Sequence, residues 1–185
     1  MRISVIVDNV VPDGSWVKEH GLALWIEFPS GILLFDTGAG NALLPNLEHL
    51  GLSTDRIRWV VLSHGHNDHT GGVEQILKLL PNVDVYYGEG MGAVRYSLHE
   101  DRPVKELTIP TGAAECLKRH PMELSHVVKS FSRITSDFFL TGGIPRRSFE
   151  QTGGPFYFVW SRNKRGHPSV QKSGGVSRLS GKSLR

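Results

Sequence analysis

The sequence predicts a mixed α/β fold: one sheet carrying parallel and antiparallel strands, with helices on its outer face. Three observations predict it. Residues 58–87 read strand, helix, strand, the order of a βαβ unit with parallel strands. Residues 22–36 read as two apolar strands joined by Pro29-Ser30-Gly31, which makes a hairpin. The chain has 185 residues, 39% of them hydrophobic and 21% charged, enough for one domain with a real core and too few for two comfortable ones.

The elements follow in order. Ile3 to Val7 is β-branched and apolar, a first strand, and Val11-Pro12-Asp13-Gly14 is a turn. Leu22 to Phe28 (LALWIEF) and Gly31 to Asp36 (GILLFD) are the hairpin strands. Asp36-Thr37-Gly38-Ala39-Gly40 is a loop. From Asn41 a helical period places Leu43, Leu44, Leu47 and Leu50 on one face, and Gly51 ends it. Ser53-Thr54-Asp55 caps a short turn. Arg58 to Ser63 (RWVVLS) is a nearly unbroken apolar run, as expected of a strand buried on both faces. Thr70 or Gly71 opens a helix with Val73, Ile76, Leu77 and Leu80 on one side, stopped by Pro81-Asn82. Val83 to Tyr87, Ser136 to Thr141 and Phe156 to Trp160 are further strands; residues 88–130 show no clear pattern.

From residue 161 the character changes. Ser and Gly dominate, and neither the period of a strand nor that of a helix is visible, so residues 161–185 are expected to be disordered beside a folded domain over residues 1–160. Seven of the 21 Lys and Arg residues lie in this tail with no acidic residue. The remaining 14, set against 18 Asp and Glu, leave residues 1–160 at −4 although the whole chain is +3. The basic pI of 9.1 therefore belongs to the tail, and a nucleic-acid surface on the body is not expected. The break in charge and period at one place suggests a truncation or a shifted reading frame. Cys116 is the only cysteine, which allows no internal disulfide and suits a reducing cytoplasm. Neither a signal peptide nor a membrane span is expected.

The chemistry concentrates in "VVLSHGHNDHTGG", residues 60–72, where His64, His66, Asp68 and His69 fall within six positions. In an extended segment residues two apart point the same way, so His64 and His66 reach one metal ion together. Asp68 and His69 lie just beyond and reach a second. Imidazole suits zinc, iron or manganese, and the carboxylate adds a hard oxygen donor. A polar surface loop is the plainer alternative. Four liganding residues in HxHxDH spacing, directly after a buried strand, favour the metal site. A metal-activated water would be the nucleophile, and Asp68 would both ligate and accept its proton.

This stretch resembles the metallo-β-lactamase superfamily, whose signature is HxHxDH after a strand. Leu34-Phe35-Asp36-Thr37-Gly38 is similar to that superfamily's first motif, a strand ending in Asp-x-Gly. Val7-Asp8-Asn9, the run from Glu19-His20-Gly21 to Ile26-Glu27, and Leu140 to Arg146 resemble one branch, hydrolases labelled dihydropterin ribofuranosylaminobenzene phosphate synthases. The resemblance covers about residues 2–160 and implies an αββα sandwich, here its N-terminal part. It implies that His64 and His66 hold a first metal, that Asp68 and His69 hold a second, and that Asp36 orients the loop from behind. Zinc is the first expectation for the metal, with iron or manganese as alternatives. The implied function is hydrolysis of an ester, phosphoester or related small-molecule substrate; the alternative is an impaired fragment that binds metal weakly.

The resemblance also implies later ligands, among them a His in a Gly-Cys-Ser-His-like turn, and that turn is absent. His99, His120, His126 and His167 are read as surface or core histidines, and His20 and His49 as structural. A third reading, a binding module with a nucleic-acid-contacting tail, lacks aromatic residues after Trp160. Gly38-Ala39-Gly40 lacks the third glycine and acidic partner of a dinucleotide site.

Overall fold

The computed structural model describes residues 1–97 and 105–144, and the backbone of 156–162 and 168–172. The elements are β1 (Arg2–Val7), β2 (Ala23–Phe28), β3 (Gly31–Phe35), α1 (Leu43–His49), β4 (Ile57–Leu62), α2 (Asn67–Thr70), α3 (Val73–Leu79), β5 (Asp84–Gly88), β6 (Arg95–Ser97), β7 (Lys105–Glu106), α4 (Thr111–Arg119), β8 (Ser125–Val128), β9 (Ser132–Arg133), β10 (Phe139–Leu140), β11 (Phe156–Arg162) and β12 (Pro168–Lys172). They divide into two compact units, one from Met1–Gly92 with Ile109–Gly143, the other from Ala93–Thr108 with Ile144–Arg185.

The first unit is built on a six-stranded sheet in the order β1-β2-β3-β4-β5-β8. β1, β2 and β3 pair antiparallel, then β3, β4, β5 and β8 run parallel. The mixed sheet and its hairpin are those the sequence predicts. One face carries Trp25, Leu34, Val60, Leu62 and Val85 against Leu43 and Leu47 of α1, Val73, Ile76 and Leu77 of α3, and Ala113 of α4. Each large side chain buried there contributes about 1.5–3 kcal/mol. The other face gathers Leu33 and Val61 with Phe138, flanked by Trp59, Ile26, Phe28 and Tyr86. β4 thus supplies side chains to both clusters, as its unbroken apolar run requires.

Several boundaries move for identifiable reasons. α1 begins at Leu43 rather than Asn41: Gly40 has a φ of 108°, outside the helical range, and Glu19 accepts the backbone N–H groups of Ala39, Gly40 and Asn41 ahead of the helix. β4 stops at Leu62 because the Ser63 N–H donates to Asp36. The strand expected over Ser136 to Thr141 shrinks to two residues. Asp137 instead closes a turn with Thr135 and accepts the Ser30 N–H at 3.1 Å. The unassigned stretch 88–130 contains β6, β7, α4 and β8.

The second unit holds a four-stranded sheet in the order β12-β11-β6-β7. Within the tail expected to be disordered, residues 168–172 form a strand, with Val170 in register with Val159. Strand pairing uses backbone groups that every residue but proline offers, so a weak side-chain pattern is no bar once β11 presents an edge. Residues 163–167 and 173–185 lie outside the described residues, as do His99 and His167. Among the described residues no helix is long and apolar enough to cross a membrane.

Candidate metal centre

The cluster sits at the carboxyl ends of two adjacent parallel strands, where rigid strands support open loops. Asp36 directly follows β3 and is fully buried. Its φ of 57° is left-handed, the only such non-glycine among the described residues, and Asp tolerates that region better than most. This turn carries its carboxylate under the loop after β4. Asp36 Oδ1 accepts the Ser63 N–H at 2.8 Å, and Oδ2 accepts the Ser63 hydroxyl at 2.7 Å. His69 Nδ1 lies 2.8 Å from the same Oδ2.

These bonds fix two tautomers. The single hydroxyl proton of Ser63 goes to Asp36, so Ser63 Oγ accepts from His64 Nδ1, 2.9 Å away. His64 Nε2 is then unprotonated. His69 likewise spends its Nδ1 proton on Asp36, which leaves Nε2 bare in the neutral ring. His64 Nε2 faces His66 Nδ1 at 3.0 Å. That gap is filled either by a proton on His66 or by a cation shared between two lone pairs. His69 Nε2 lies 3.6 Å from Asp68 Oδ2. The His64 ring centroid is 4.5 Å from that of His66 and 4.2 Å from that of His69.

The loop backbone is held as firmly. The His66 carbonyl caps α2, accepting the N–H groups of His69 and Thr70, each at 3.1 Å, and the Thr70 hydroxyl at 2.8 Å. The His69 carbonyl accepts the Thr37 N–H at 2.8 Å, and Gly71 N–H donates to the Gly38 carbonyl at 2.8 Å. A Cβ on Gly71 would lie 2.1 Å from the Ala39 carbonyl oxygen, so only glycine lets the two loops meet here.

Electrostatics differ between the rings. Burial, and then the neighbouring His69 and His66, push His64 down to about 4, so it is neutral at neutral pH. Burial also works against protonation of His69, but the Asp36 hydrogen bond and the charges of Asp36 and Asp68 outweigh it and raise its pKa.

The donor set therefore suits a borderline divalent cation: imidazole nitrogens whose other N–H is anchored on oxygen, plus one carboxylate. Among the described residues, no three His, Cys, Asp or Glu side chains already enclose one point. His120 Nε2 instead bonds the Val83 carbonyl at 2.8 Å, and His126 Nε2 bonds Asp84 at 2.7 Å, so neither joins the cluster. His49 packs edge-on against Trp16. A surface depression lined by Glu27, Arg56, Arg58 and Asp84 lies at the opposite ends of the strands and includes none of the cluster.

Sequence reasoning missed three contributors. Ser63 lies inside the quoted stretch, but its role shows only when β3 and β4 pair. Glu19 and His20 lie in a run noted for its likeness to one branch, with no contact implied. Glu19 clamps the loop after β3, and His20 Nε2 comes within 3.3 Å of Asp68 Oδ2.

Comparison with known proteins places the chain in a family. An uncharacterized protein of Methanocaldococcus jannaschii is 26% identical over 151 residues, 78% of this chain and 54% of that protein. The 7,8-dihydropterin-6-methyl-4-(beta-D-ribofuranosyl)-aminobenzene-5'-phosphate synthase of the same organism is 42% identical over 66 residues, 33% of this chain and 22% of that one. Ribonuclease J of Mycobacterium tuberculosis is 42% identical over 79 residues, 42% of this chain and 14% of that one. The chain thus spans about half the length of the first relative and less of the others. The metallo-beta-lactamase superfamily model matches residues 17–157, a span that holds every residue of the cluster, and the chain belongs to that superfamily.

Proposed function

We propose that this chain carries the metal-anchoring half of a hydrolase site, in which His64, His66, Asp68 and His69 hold one or two divalent cations, zinc first and iron or manganese as alternatives. The observation that carries the reading is the pair of hydrogen bonds that anchor His64 Nδ1 on Ser63 and His69 Nδ1 on Asp36, with the two ring centroids 4.2 Å apart, so that in the neutral rings each Nε2 is left to ligate. When bound, such a cation supplies Lewis acidity, polarising a carbonyl or phosphoryl group and acidifying water near neutral pH.

The chain's own residues would do the rest. Asp36 holds His69 and, through Ser63, His64 in one orientation. Asp68, partly exposed beside them, is the group placed to accept a proton from attacking water. The substrate class is an ester, phosphoester or related small molecule, and the likeness to a ribonuclease J supports a phosphodiester within that class. With a single cysteine, which suits a reducing compartment, the cytoplasm is the proposed location. A second reading, a chain that binds metal weakly and turns nothing over, is favoured by the absence of three donors closed on one point among the described residues.

The test is hydrolysis of bis(p-nitrophenyl) phosphate and p-nitrophenyl acetate by the full chain, with Zn²⁺ or Mn²⁺ added to chelator-treated protein. Metal-dependent turnover lost in Asp68→Asn supports the first reading. Stoichiometric metal binding with no turnover favours the second, and no metal binding sinks both.

A further inference from the structure

The loop between β1 and β2 brings a fourth histidine to the cluster. His20 Nε2 lies 3.3 Å from Asp68 Oδ2, and His69 Nε2 lies 3.6 Å from the same oxygen. Asn9 Oδ1 accepts the Gly21 N–H at 3.2 Å and faces His20 Nδ1 at 3.2 Å. An amide oxygen only accepts, so the His20 proton sits on Nδ1 and the neutral ring turns a lone pair toward Asp68. His20 is therefore built like His69: Nδ1–H on an oxygen, Nε2 beside the same carboxylate.

The approach is enforced by the backbone. A Cβ on Gly21, whose φ is +146°, would lie 2.2 Å from the Asp68 carbonyl oxygen, and Leu22 N–H reaches that oxygen at 3.4 Å. Nor does the loop need His20 to hold its place. Glu19 binds three backbone N–H groups after β3, and Asn46 donates to the Val17 carbonyl at 2.8 Å and accepts its N–H at 2.9 Å. The His20 side chain is 75% exposed and contributes little to the core. An exposed ring, pinned at one nitrogen and aimed with the other, has the arrangement of a ligand with its orienting partner.

Resting on the metal reading above, we propose that His20 supplies a further nitrogen to the cation held by Asp68 and His69, with Asn9 orienting its ring. The three side chains are adjacent without enclosing one point. The ring that has to rotate is the exposed one, which has the least packing to lose.

The test titrates Co²⁺ into chelator-treated full-length chain, following heat and the visible d–d bands, for wild type, His20→Ala and Asn9→Ala. His20→Ala is expected to weaken cation binding at Asp68–His69 by about 10–100-fold and to change the bands. Asn9→Ala is expected to give a smaller loss in the same direction. Both variants should keep the wild-type thermal midpoint, since His20 and Asn9 are exposed. If His20→Ala matches wild type in affinity and in spectrum, His20 is only an ion-pair partner of Asp68 and the proposal fails. If wild type takes up no Co²⁺, the metal reading itself fails and this proposal falls with it.

Discussion

Asp36 and His69 are 33 positions apart in sequence, yet Asp36 Oδ2 stands 2.8 Å from His69 Nδ1. Asp36 is fully buried at the end of β3, and His69 rides on the short helix after β4. This contact makes the pairing of two strands a condition for presenting an imidazole. It also carries the first prediction. In Asp36→Asn one acceptor becomes an NH₂ donor, facing either Ser63 or His69, both of which donate. Asn tolerates the left-handed backbone, so the loss isolates the side chain. We expect a loss of about 1–3 kcal/mol in urea unfolding. Metal affinity in a chelator competition should fall about 10–100-fold.

Asp68→Asn should separate chemistry from folding. Its side chain lies at the edge of the cluster rather than in the core, so the denaturation midpoint should stay close to wild type. Metal-dependent turnover should fall by at least about 100-fold, the scale of a lost proton acceptor. Turnover within a few-fold of wild type would remove Asp68 from the proposed mechanism.

The two rings bonded to the Asp36–Ser63 pair should titrate in opposite directions in chelator-treated protein. His64 should take its proton near pH 4 and His69 above the ordinary value of about 6.5. For His64 the folded pKa is depressed, so its contribution to stability is lost as pH falls from about 6.5 towards 4. For His69 the folded pKa is raised, so its contribution is complete below about 6.5 and is lost as pH rises through its folded value. Histidine ¹H–¹⁵N spectra across pH 3–9 would show both. A single shared midpoint for the two rings would contradict the electrostatics.

Gly71→Ala should damage the fold more than its size suggests. The added methyl meets the Ala39 carbonyl at 2.1 Å, and that loop is already clamped by Glu19. Urea unfolding should show a loss of at least about 1–3 kcal/mol. A variant as stable as wild type would mean that the two loops do not meet as described.

Much of this architecture was legible because its signals are local. The apolar run of β4 ending at Ser63 and the dense nitrogen and oxygen donors at His64, His66, Asp68 and His69 announce a strand feeding a polar loop. The hairpin around Pro29-Ser30-Gly31 is equally plain. Asp36 drew notice through its Asp-Thr-Gly bend, but the two oxygens it offers to Ser63 and His69 depend on parallel pairing of β3 with β4. His20, read as structural, stands beside Asp68 through contacts that are equally remote in sequence. It lies 48 positions before Asp68, on a loop with no period to read, and the contacts of Gly21 and Leu22 with the Asp68 carbonyl bring it close. Around Cys116 the sequence is helix-like, but α4 buries only Ala113 and β8 only Val128, so neither shows a clear period.

The route by which the histidine tautomers are set has a thermodynamic consequence. Asp36 acts across the β3–β4 pair, and Asn9 acts from the far side of the β1–β2 loop. In the unfolded chain neither constraint exists, and each ring exchanges its proton freely between nitrogens. If a divalent ion binds as proposed, it distinguishes folded from unfolded chain by geometry rather than by composition, since both contain the same residues. By mass action such an ion would be a folding ligand, adding RT ln(1 + [M]/Kd) to stability, about 2.7 kcal/mol at a hundred times Kd. Metal supply would then set how much of the chain is folded before it set how fast any substrate is consumed.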